Sequence, residues 1–127
     1  MPRTSHQDII SKIRDQLADI FDESEQSVYI YLDDNNKVCN KKFAALLGYG
    51  SPSEWADVKE NFPEAFVSPQ DRQTLVSTYR KAIDDLAGST ISIAWKKKEG
   101  KEVRTTTILV PIVYGGHRMA LHFITPK

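Results

Sequence analysis

The stretch of sequence that decides the fold is residues 89–125, STISIAWKKKEGKEVRTTTILVPIVYGGHRMALHFIT. At its start, Ile91, Ile93 and Trp95 alternate with small or polar residues, which is the period of two that a half-buried strand requires. Two turn signals, KEGK and GG, divide the stretch. The pattern therefore predicts three consecutive antiparallel strands joined by two hairpins.

The middle strand of this predicted sheet, residues 103–113, is largely apolar on both faces. An antiparallel sheet with one solvated face shows regular apolar–polar alternation, so a further element is expected to cover the outer face. Residues 5–22 can supply that element, because their apolar side chains recur at steps of three and four and form one helical stripe. Ser5, with Asp8 three residues later, predicts the start of this helix.

The region between these two segments, residues 26–86, mixes two short strands with several helices. Residues 28–32 are rich in strand-forming side chains, and the turn signal at 33–36 leads into a second short strand. Asn40 is a favourable N-cap for a first short helix, and two serine–proline pairs predict the starts of later helices. The last of these helices is the longest, and Gly88 is expected to end it.

The composition limits the function classes. With 127 residues, of which 40% are hydrophobic, the chain is long enough for one domain with one core. Its 17 basic and 17 acidic residues cancel, which argues against partners such as nucleic acid or an anionic membrane surface. A single cysteine excludes an intrachain disulfide framework, and no stretch has the length of a membrane span. We therefore expect a soluble, single-domain, cytoplasmic protein.

Three segments resemble a known family, the PAS sensor domains. Residues 40–49, NKKFAALLGY, resemble the family's N-x-x-F-x-x-L-x-G-Y segment. Residues 68–72, SPQDR, are similar to the family's entry into its long helix, and residues 95–101, WKKKEGK, resemble its first hairpin after that helix. The segments occur in the family's order, and the resemblance covers about residues 26–125.

The resemblance implies an α+β fold, with a five-stranded antiparallel sheet and short helices on one face. The N-terminal amphipathic helix, residues 1–25, would then cap the other face or mediate dimerisation, and residues 26–127 would form the PAS domain. The implied function is sensory and not enzymatic: the module binds a small molecule or a partner protein and relays the change through the N-terminal helix or a dimer interface. The alternative is a ligand-free protein–protein interaction or dimerisation domain.

A ligand pocket in such a domain would lie between the inner sheet face and the helices. Thr107 and Tyr79 are expected to be its polar groups, unless a filled core leaves no space wider than a water molecule. The residues expected to form the inner wall are Phe43, Leu47, Trp55, Phe66, Leu75, Tyr79, Ile93, Trp95, Thr107, Leu109 and Leu121.

The resemblance does not identify a cofactor. Family members that form a covalent flavin adduct carry their cysteine in a later helix, whereas Cys39 falls on the second predicted strand. Family members that bind haem use a histidine of the long helix, and residues 70–86 contain none. His117 and His122 would point to opposite faces of a strand, so no metal pair is expected and both are interpreted as surface or edge residues.

The N-terminal helix also suggests a homodimer. Ile10, Ile13, Leu17 and Ile20 step by three and four, which is the spacing of a coiled-coil seam. About one and a half heptads are too few for an independent coiled coil, which needs about three to four. We therefore expect these residues to pack on the domain's own sheet or on that of a second subunit, with a homodimer interface shared by the helix and the outer sheet face. A signalling partner protein is a further expectation.

Overall fold

A computed structural model describes residues 5–127 of the chain. Its elements, in chain order, are α1 (His6–Gln16), α2 (Ala18–Glu23), β1 (Ser27–Asp33), β2 (Asn36–Cys39), α3 (Lys41–Leu46), α4 (Pro52–Ala56), α5 (Phe62–Phe66), a 3₁₀ turn (Pro69–Asp71), α6 (Arg72–Asp85), β3 (Ser89–Lys96), β4 (Glu102–Tyr114) and β5 (His117–Pro126). None of the helices in residues 5–127 is long and apolar enough to cross a membrane.

The strands form one antiparallel sheet in the order β2-β1-β5-β4-β3. The last three strands are joined as the sequence predicts, and β5 then pairs with β1 in the centre of the sheet. That pairing places Tyr29 of β1 opposite His122 of β5. The five-stranded α+β architecture expected from the sequence is confirmed.

Local capping explains where the helices begin. The side chains of Ser5, Asn40 and Ser51 each accept a hydrogen bond from a backbone N–H three residues later, at 3.0–3.1 Å. Two details differ from the sequence prediction. The N-terminal helix is interrupted at Leu17, whose ψ of 20° is not helical, and α6 ends at Leu86, not Gly88, because Leu86 adopts the left-handed conformation with φ of 52°.

The outer face of the sheet is partly covered, as expected, by the N-terminal helices. Apolar side chains of α1 and α2 pack on those of β1 and β5 in one cluster, whose buried members are Ile9, Ile10, Ile13, Phe21, Val28, Ile30, Met119 and Leu121. This cover does not extend to the middle of β4, where Ile108 and Val110 are 38% and 37% exposed. The N-terminal helices therefore stabilise one half of the outer face and leave an apolar strip on the other half.

Candidate functional site

The inner face of the sheet carries an aromatic cluster that the short helices cover. Tyr29 lies at its centre, with ring centroids 4.9 Å from Phe43, 5.5 Å from Phe62 and 5.6 Å from Trp95. The alternation of β1 creates this arrangement, because Tyr29 points inward while its neighbours Val28 and Ile30 point to the outer cluster.

A cavity of about 240 Å³ lies beside this cluster, between the inner sheet face, α5 and α6. Its walls combine aromatic, aliphatic and a few polar groups, and within residues 5–127 no lysine, arginine, aspartate or glutamate contributes to them. The lining residues are Tyr29, Tyr31, Asn61, Phe62, Pro63, Leu75, Val76, Tyr79 and His122. Proteins hold small molecules in concave, mostly apolar sites of this kind.

Two of the lining residues carry polar atoms that nothing in the described part of the chain satisfies. Tyr29 Oη and His122 Nδ1 are buried and have no hydrogen-bond partner within residues 5–127. The two rings stack with their centroids 3.9 Å apart and an interplanar angle of 11°. Burial lowers the pKa of His122 to about 3 and raises the pKa of Tyr29 well above its ordinary value. Both side chains are therefore neutral at physiological pH, and each has an unused hydrogen-bonding atom.

The other two tyrosines of the cavity are already hydrogen-bonded. Tyr79 Oη donates to the backbone oxygen of Tyr31 at 3.1 Å, and Tyr31 Oη donates to Asp34 Oδ1 at 2.8 Å. Burial raises the pKa of Tyr79 to about 12, so its hydroxyl group stays protonated. These bonds fix the position of both rings beside the cavity.

The turn between β1 and β2 connects the cavity wall to the N-terminal helix. Asp34 Oδ1 accepts hydrogen bonds from Tyr31 Oη and from the backbone N–H of Phe62, both of which line the cavity. The adjacent carboxylate, Asp33 Oδ2, lies 2.6 Å from His6 Nδ1 in the first turn of α1. One short turn thus contacts both the cavity wall and the start of the helix on the opposite face.

The structure brings only part of the predicted inner wall to the cavity. Leu75 and Tyr79 line it, as expected. Eight others are at most 4% exposed but lie elsewhere in the inner half of the domain; these are Phe43, Leu47, Trp55, Phe66, Ile93, Trp95, Thr107 and Leu109. Trp55 Nε1 is also buried and has no hydrogen-bond partner among the residues that the structure describes, although Trp55 does not line the cavity.

The prediction that Leu121 belongs to the inner wall is wrong, because Leu121 lies in the outer cluster beneath α1. Successive side chains of β5 point to opposite faces, so Met119 and Leu121 point outward and His122 points inward. An error in the face assigned to one residue therefore places every side chain of the strand on the wrong face. The interpretation of His122 as a surface or edge residue is wrong for the same reason, since it is 1% exposed. His117 lies on the outer side, with its ring centroid 5.1 Å from that of His6.

The predicted polar role of Thr107 is modified by a hydrogen-bond network within the core. Trp95 Nε1 donates to Thr105 Oγ1 at 3.0 Å and contacts Thr107 Oγ1 at 3.4 Å. Thr105 Oγ1 in turn lies 3.1 Å from the hydroxyl of Thr107 and donates to the backbone oxygen of Ile93. Because these groups satisfy one another, Thr107 is not a free polar group for a ligand.

Sequence reasoning missed seven of the nine lining residues: Tyr29, Tyr31, Asn61, Phe62, Pro63, Val76 and His122. The first two could have been found, because the residues on either side of them form an apolar set at alternate positions of β1. Phe62 belongs to a segment with no clear periodicity, and only the fold places it over the sheet.

Cys39 is 2% exposed, and burial raises the pKa of its thiol to about 12. A thiol in that state is a weak nucleophile and a weak metal ligand. Among residues 5–127 no group of three or more histidine, cysteine or acidic side chains is arranged to hold a metal ion.

Comparison with solved structures identifies the fold. A PAS domain from Colwellia psychrerythraea has a TM-score of 0.70 at 20% identity, covering 91% of this chain and 97% of that one. The PAS domain of a two-component sensor histidine kinase has a TM-score of 0.67 at 13% identity, with coverage of 92% and 99%. A light-oxygen-voltage protein from Rhodobacter sphaeroides has a TM-score of 0.69 at 14% identity, with coverage of 91% and 67%. No protein-family model matches the chain, and no curated protein matches it in sequence.

Proposed function

Because these similarities show that the chain has the PAS fold, we propose that it is a sensory signalling module that binds a small molecule in the cavity beside Tyr29 and His122. The observation that carries this proposal is the half-open, mostly apolar pocket of about 240 Å³ itself, since small-molecule sites are concave and mostly apolar. Of the solved structures that resemble this chain, one is the PAS domain of a two-component sensor histidine kinase and another is a sensory box histidine kinase/response regulator. The module acts by changing its conformation on binding and has no catalytic role.

The proposed output passes through the turn between β1 and β2. A ligand that moves Tyr31 or Phe62 changes the hydrogen bonds that both residues make to Asp34. The adjacent Asp33 holds His6, so the same displacement alters how the start of α1 is held on the outer face. The ligand then shifts the balance between two packings of the N-terminal helix, in proportion to its different affinity for them.

Filling the cavity with a side chain tests both steps. Val76 lines the cavity, whereas Ile83, seven residues later on the same helix, does not. We expect Val76→Trp to lose the small molecule that co-purifies with the wild type, which native mass spectrometry detects as an added mass. The same substitution should alter the rate of amide hydrogen exchange in α1. Ile83→Trp is the matched control and should do neither. If Val76→Trp and Ile83→Trp both retain the small molecule that co-purifies with the wild type, the proposal is wrong. It is also wrong if the wild-type protein neither co-purifies with a small molecule nor binds one that is added.

The second candidate function is a ligand-free interaction domain that forms a homodimer. The strip formed by Ile108 and Val110 favours it, because these apolar side chains are exposed on the outer face of the sheet. Leu17 and Ile20 are half-buried at the edge of the N-terminal helices and extend the proposed interface, whereas Ile10 and Ile13 are buried in the domain's own outer cluster. The dimer interface would therefore consist mainly of the strip, with Leu17 and Ile20 at its edge, and would not include all four apolar residues of the N-terminal helices.

Sedimentation velocity tests this second candidate. Ile108→Asp places a charge on the strip and should convert a dimer to a monomer, whereas Val113→Asp changes a more exposed apolar residue at the end of β4 and should not. A wild-type protein that stays monomeric at high micromolar concentration would exclude the homodimer and leave the sensory proposal intact.

A further inference from the structure

We infer that the first half of β3, together with the apolar strip of Ile108 and Val110 on β4, docks an extended segment of a partner protein as an additional antiparallel strand. The side chains of that segment that share the outer face of the sheet are large and apolar. This inference goes beyond the proposed function, because the surface lies outside the cavity and needs no ligand in it.

The backbone of β3 presents unpaired hydrogen-bonding groups at the edge of the sheet. β3 is the last strand in the sheet order, and its register with β4 is regular over the whole strand. In such an antiparallel ladder, every second residue turns both its N–H and its C=O away from the neighbouring strand. Ala94 is one of these, since its N–H donates to Asp71 Oδ2 at 2.8 Å and its carbonyl accepts from the N–H of Ser68 at 3.0 Å. Thr90 and Ser92 therefore turn the same groups outward, and both residues are exposed.

The second half of the same edge already holds a strand-like segment of the chain. Val67 forms an isolated antiparallel bridge with Trp95, and Ser68 makes the hydrogen bond to Ala94. The segment leaves the edge at Pro69, where the 3₁₀ turn begins, and within residues 5–127 no strand continues this pairing toward the start of β3. A docked segment would extend an arrangement that the edge already accepts, in the same antiparallel sense.

The first half of this edge lacks the features that protect exposed edge strands from pairing. Edge strands are commonly kept short, bent by a bulge, or supplied with proline or charged residues. Residues 89–93, STISI, contain no proline or charge, and their register is regular. The opposite edge shows the contrast, because β2 has four residues, the pairing of β1 with β2 shifts register, and both α1 and α4 pack on β2. Of the two edges of this sheet, the one at β3 is therefore open to a further strand.

The strip beside this edge determines the side chains of the occupant. Ile108 and Val110 are exposed, and Thr90 pairs directly with Ile108. Gly88, one residue before β3, has no side chain, so small groups separate the edge from the strip. Neighbouring strands are about 4.8 Å apart, which places an added strand about 10 Å from β4. A large apolar side chain of the added strand can reach the strip over Thr90, as aromatic and long side chains reach diagonal neighbours within a sheet.

A second copy of β3 fits this surface less well than such a segment. Its outer face would again present Thr90 and Ser92, which are too short to reach Ile108. The strip would stay in contact with water and contribute nothing to the association. Strand addition is a general mode of peptide recognition, in which main-chain hydrogen bonds give affinity and alternate side chains give specificity. The surface therefore favours a partner segment with large apolar residues at alternate positions.

A synthetic hexapeptide with alternating threonine and tryptophan, acetyl-TWTWTK-amide, is the probe. Titrated into isotope-labelled wild-type protein, it should shift the amide NMR signals of Thr90 and Ser92 and the methyl signals of Ile108 and Val110, with a dissociation constant below about 1 mM. The peptide with alanine in place of both tryptophans should bind at least about tenfold more weakly, because it does not cover the strip.

N-methylated peptides distinguish strand addition from a general apolar contact. In an antiparallel pair, the residues directly opposite Thr90 and Ser92 share their face and exchange hydrogen bonds with them, so the amide nitrogens of the two tryptophans face β3. Methylation of these two nitrogens should weaken binding by at least about tenfold. Methylation of the second and third threonine nitrogens, which face solvent, is the matched control and should leave the affinity within about threefold.

Protein variants test the same surface. Ser92→Pro removes an N–H that does not bond to β4, as an edge strand tolerates, and should weaken binding of the tryptophan peptide about tenfold. Ile108→Thr makes the strip more polar and should have an effect of similar size, without changing the affinity for the alanine peptide. Val113→Thr changes a more exposed apolar residue at the end of β4 and should bind as the wild type does. The comparison of Ile108→Thr with Val113→Thr decides the test if Ser92→Pro does not fold.

The inference is wrong if the tryptophan peptide causes no shifts at millimolar concentration or if its shifts map to the cavity. It is wrong if the alanine peptide, or the peptide methylated on its tryptophan nitrogens, binds equally well, or if Ile108→Thr binds as the wild type does. It is also wrong if sedimentation velocity shows a wild-type dimer that Ser92→Pro or Ile108→Asp converts to a monomer, because a second copy would then occupy the edge or the strip. The sensory proposal depends on the cavity and stands or falls separately.

Discussion

The burial of a neutral histidine predicts how the stability of this protein depends on pH. Burial lowers the pKa of His122 from about 6.5 to about 3 in the folded protein. The unfolded chain, in which the imidazole is hydrated, therefore takes up a proton first as the pH falls. Above about pH 6.5, His122 is neutral in both states and does not lower the free energy of unfolding. Between about pH 6.5 and pH 3, protonation of His122 in the unfolded chain progressively lowers that free energy.

The size of the effect follows from the same shift. Each pH unit between the two pKa values changes the free energy of unfolding by about 1.4 kcal/mol, so His122 should account for a loss of about 3 kcal/mol between about pH 7.5 and pH 4.5. Acidic side chains add their own pH dependence in this range. The difference between the wild type and His122→Phe isolates the histidine, because the acidic groups are common to both proteins.

Urea unfolding at a series of pH values measures this difference. The free energy of unfolding of His122→Phe should fall less steeply with acidification than that of the wild type, by about 3 kcal/mol over the stated interval. Leu75→Ala, which shortens an apolar side chain of the same cavity and changes no titratable group, should retain the wild-type slope. The reasoning is refuted if the free energy of unfolding depends on pH in the same way for the wild type and His122→Phe. It is also refuted if NMR shows that the His122 imidazole of the folded protein titrates with a midpoint near pH 6.5.

Three further predictions concern residues away from the cavity. Leu86 is 44% exposed with φ of 52°, so Leu86→Gly should raise the free energy of unfolding by about 1 kcal/mol, and Ala87→Gly should not raise it. Lys37 donates from Nζ to three backbone oxygens at 2.6–3.2 Å, so Lys37→Met should cost about 2–4 kcal/mol in urea unfolding, against at most about 0.5 kcal/mol for the exposed Lys41→Met. Ile13→Asp should lower the stability by more than about 3 kcal/mol, because it buries an unpaired carboxylate in the outer cluster. Equal free energies of unfolding for Leu86→Gly and Ala87→Gly, or for Lys37→Met and Lys41→Met, would contradict the role given to Leu86 or Lys37. A wild-type free energy of unfolding for Ile13→Asp would contradict the burial of Ile13.

Much of the fold was predictable because its signals are local. The helix starts at Ser5, Asn40 and Ser51 depend on a side chain and a backbone N–H only three residues apart. The end of α6 was placed wrongly because Gly88 is the obvious residue for a left-handed conformation, whereas the chain turns two residues earlier at Leu86. There the local preference was overridden by the path that α6 must take to reach β3.

The candidate site was predictable only in part. Leu75 and Tyr79 were placed correctly by the helical period of α6, and most of the other proposed wall residues are buried on the inner side without reaching the cavity. The position of the cavity depends on how well neighbouring side chains fit together, and differences of a single methylene group decide whether space is filled. Sequence patterns do not carry that information.

The sequence by itself determined the strands and most helix starts, because periodicity and capping act between residues close together in the chain. The resemblance of three segments to PAS domains added the five-stranded α+β architecture. Only the tertiary structure decided which side of β5 faces inward, and with it that His122 and not Leu121 stands beside Tyr29. The physical reason is that both sides of this strand are buried, one facing α6 and the inner cluster and one facing α1. Burial of apolar area has no direction, so the alternation alone does not distinguish the two faces.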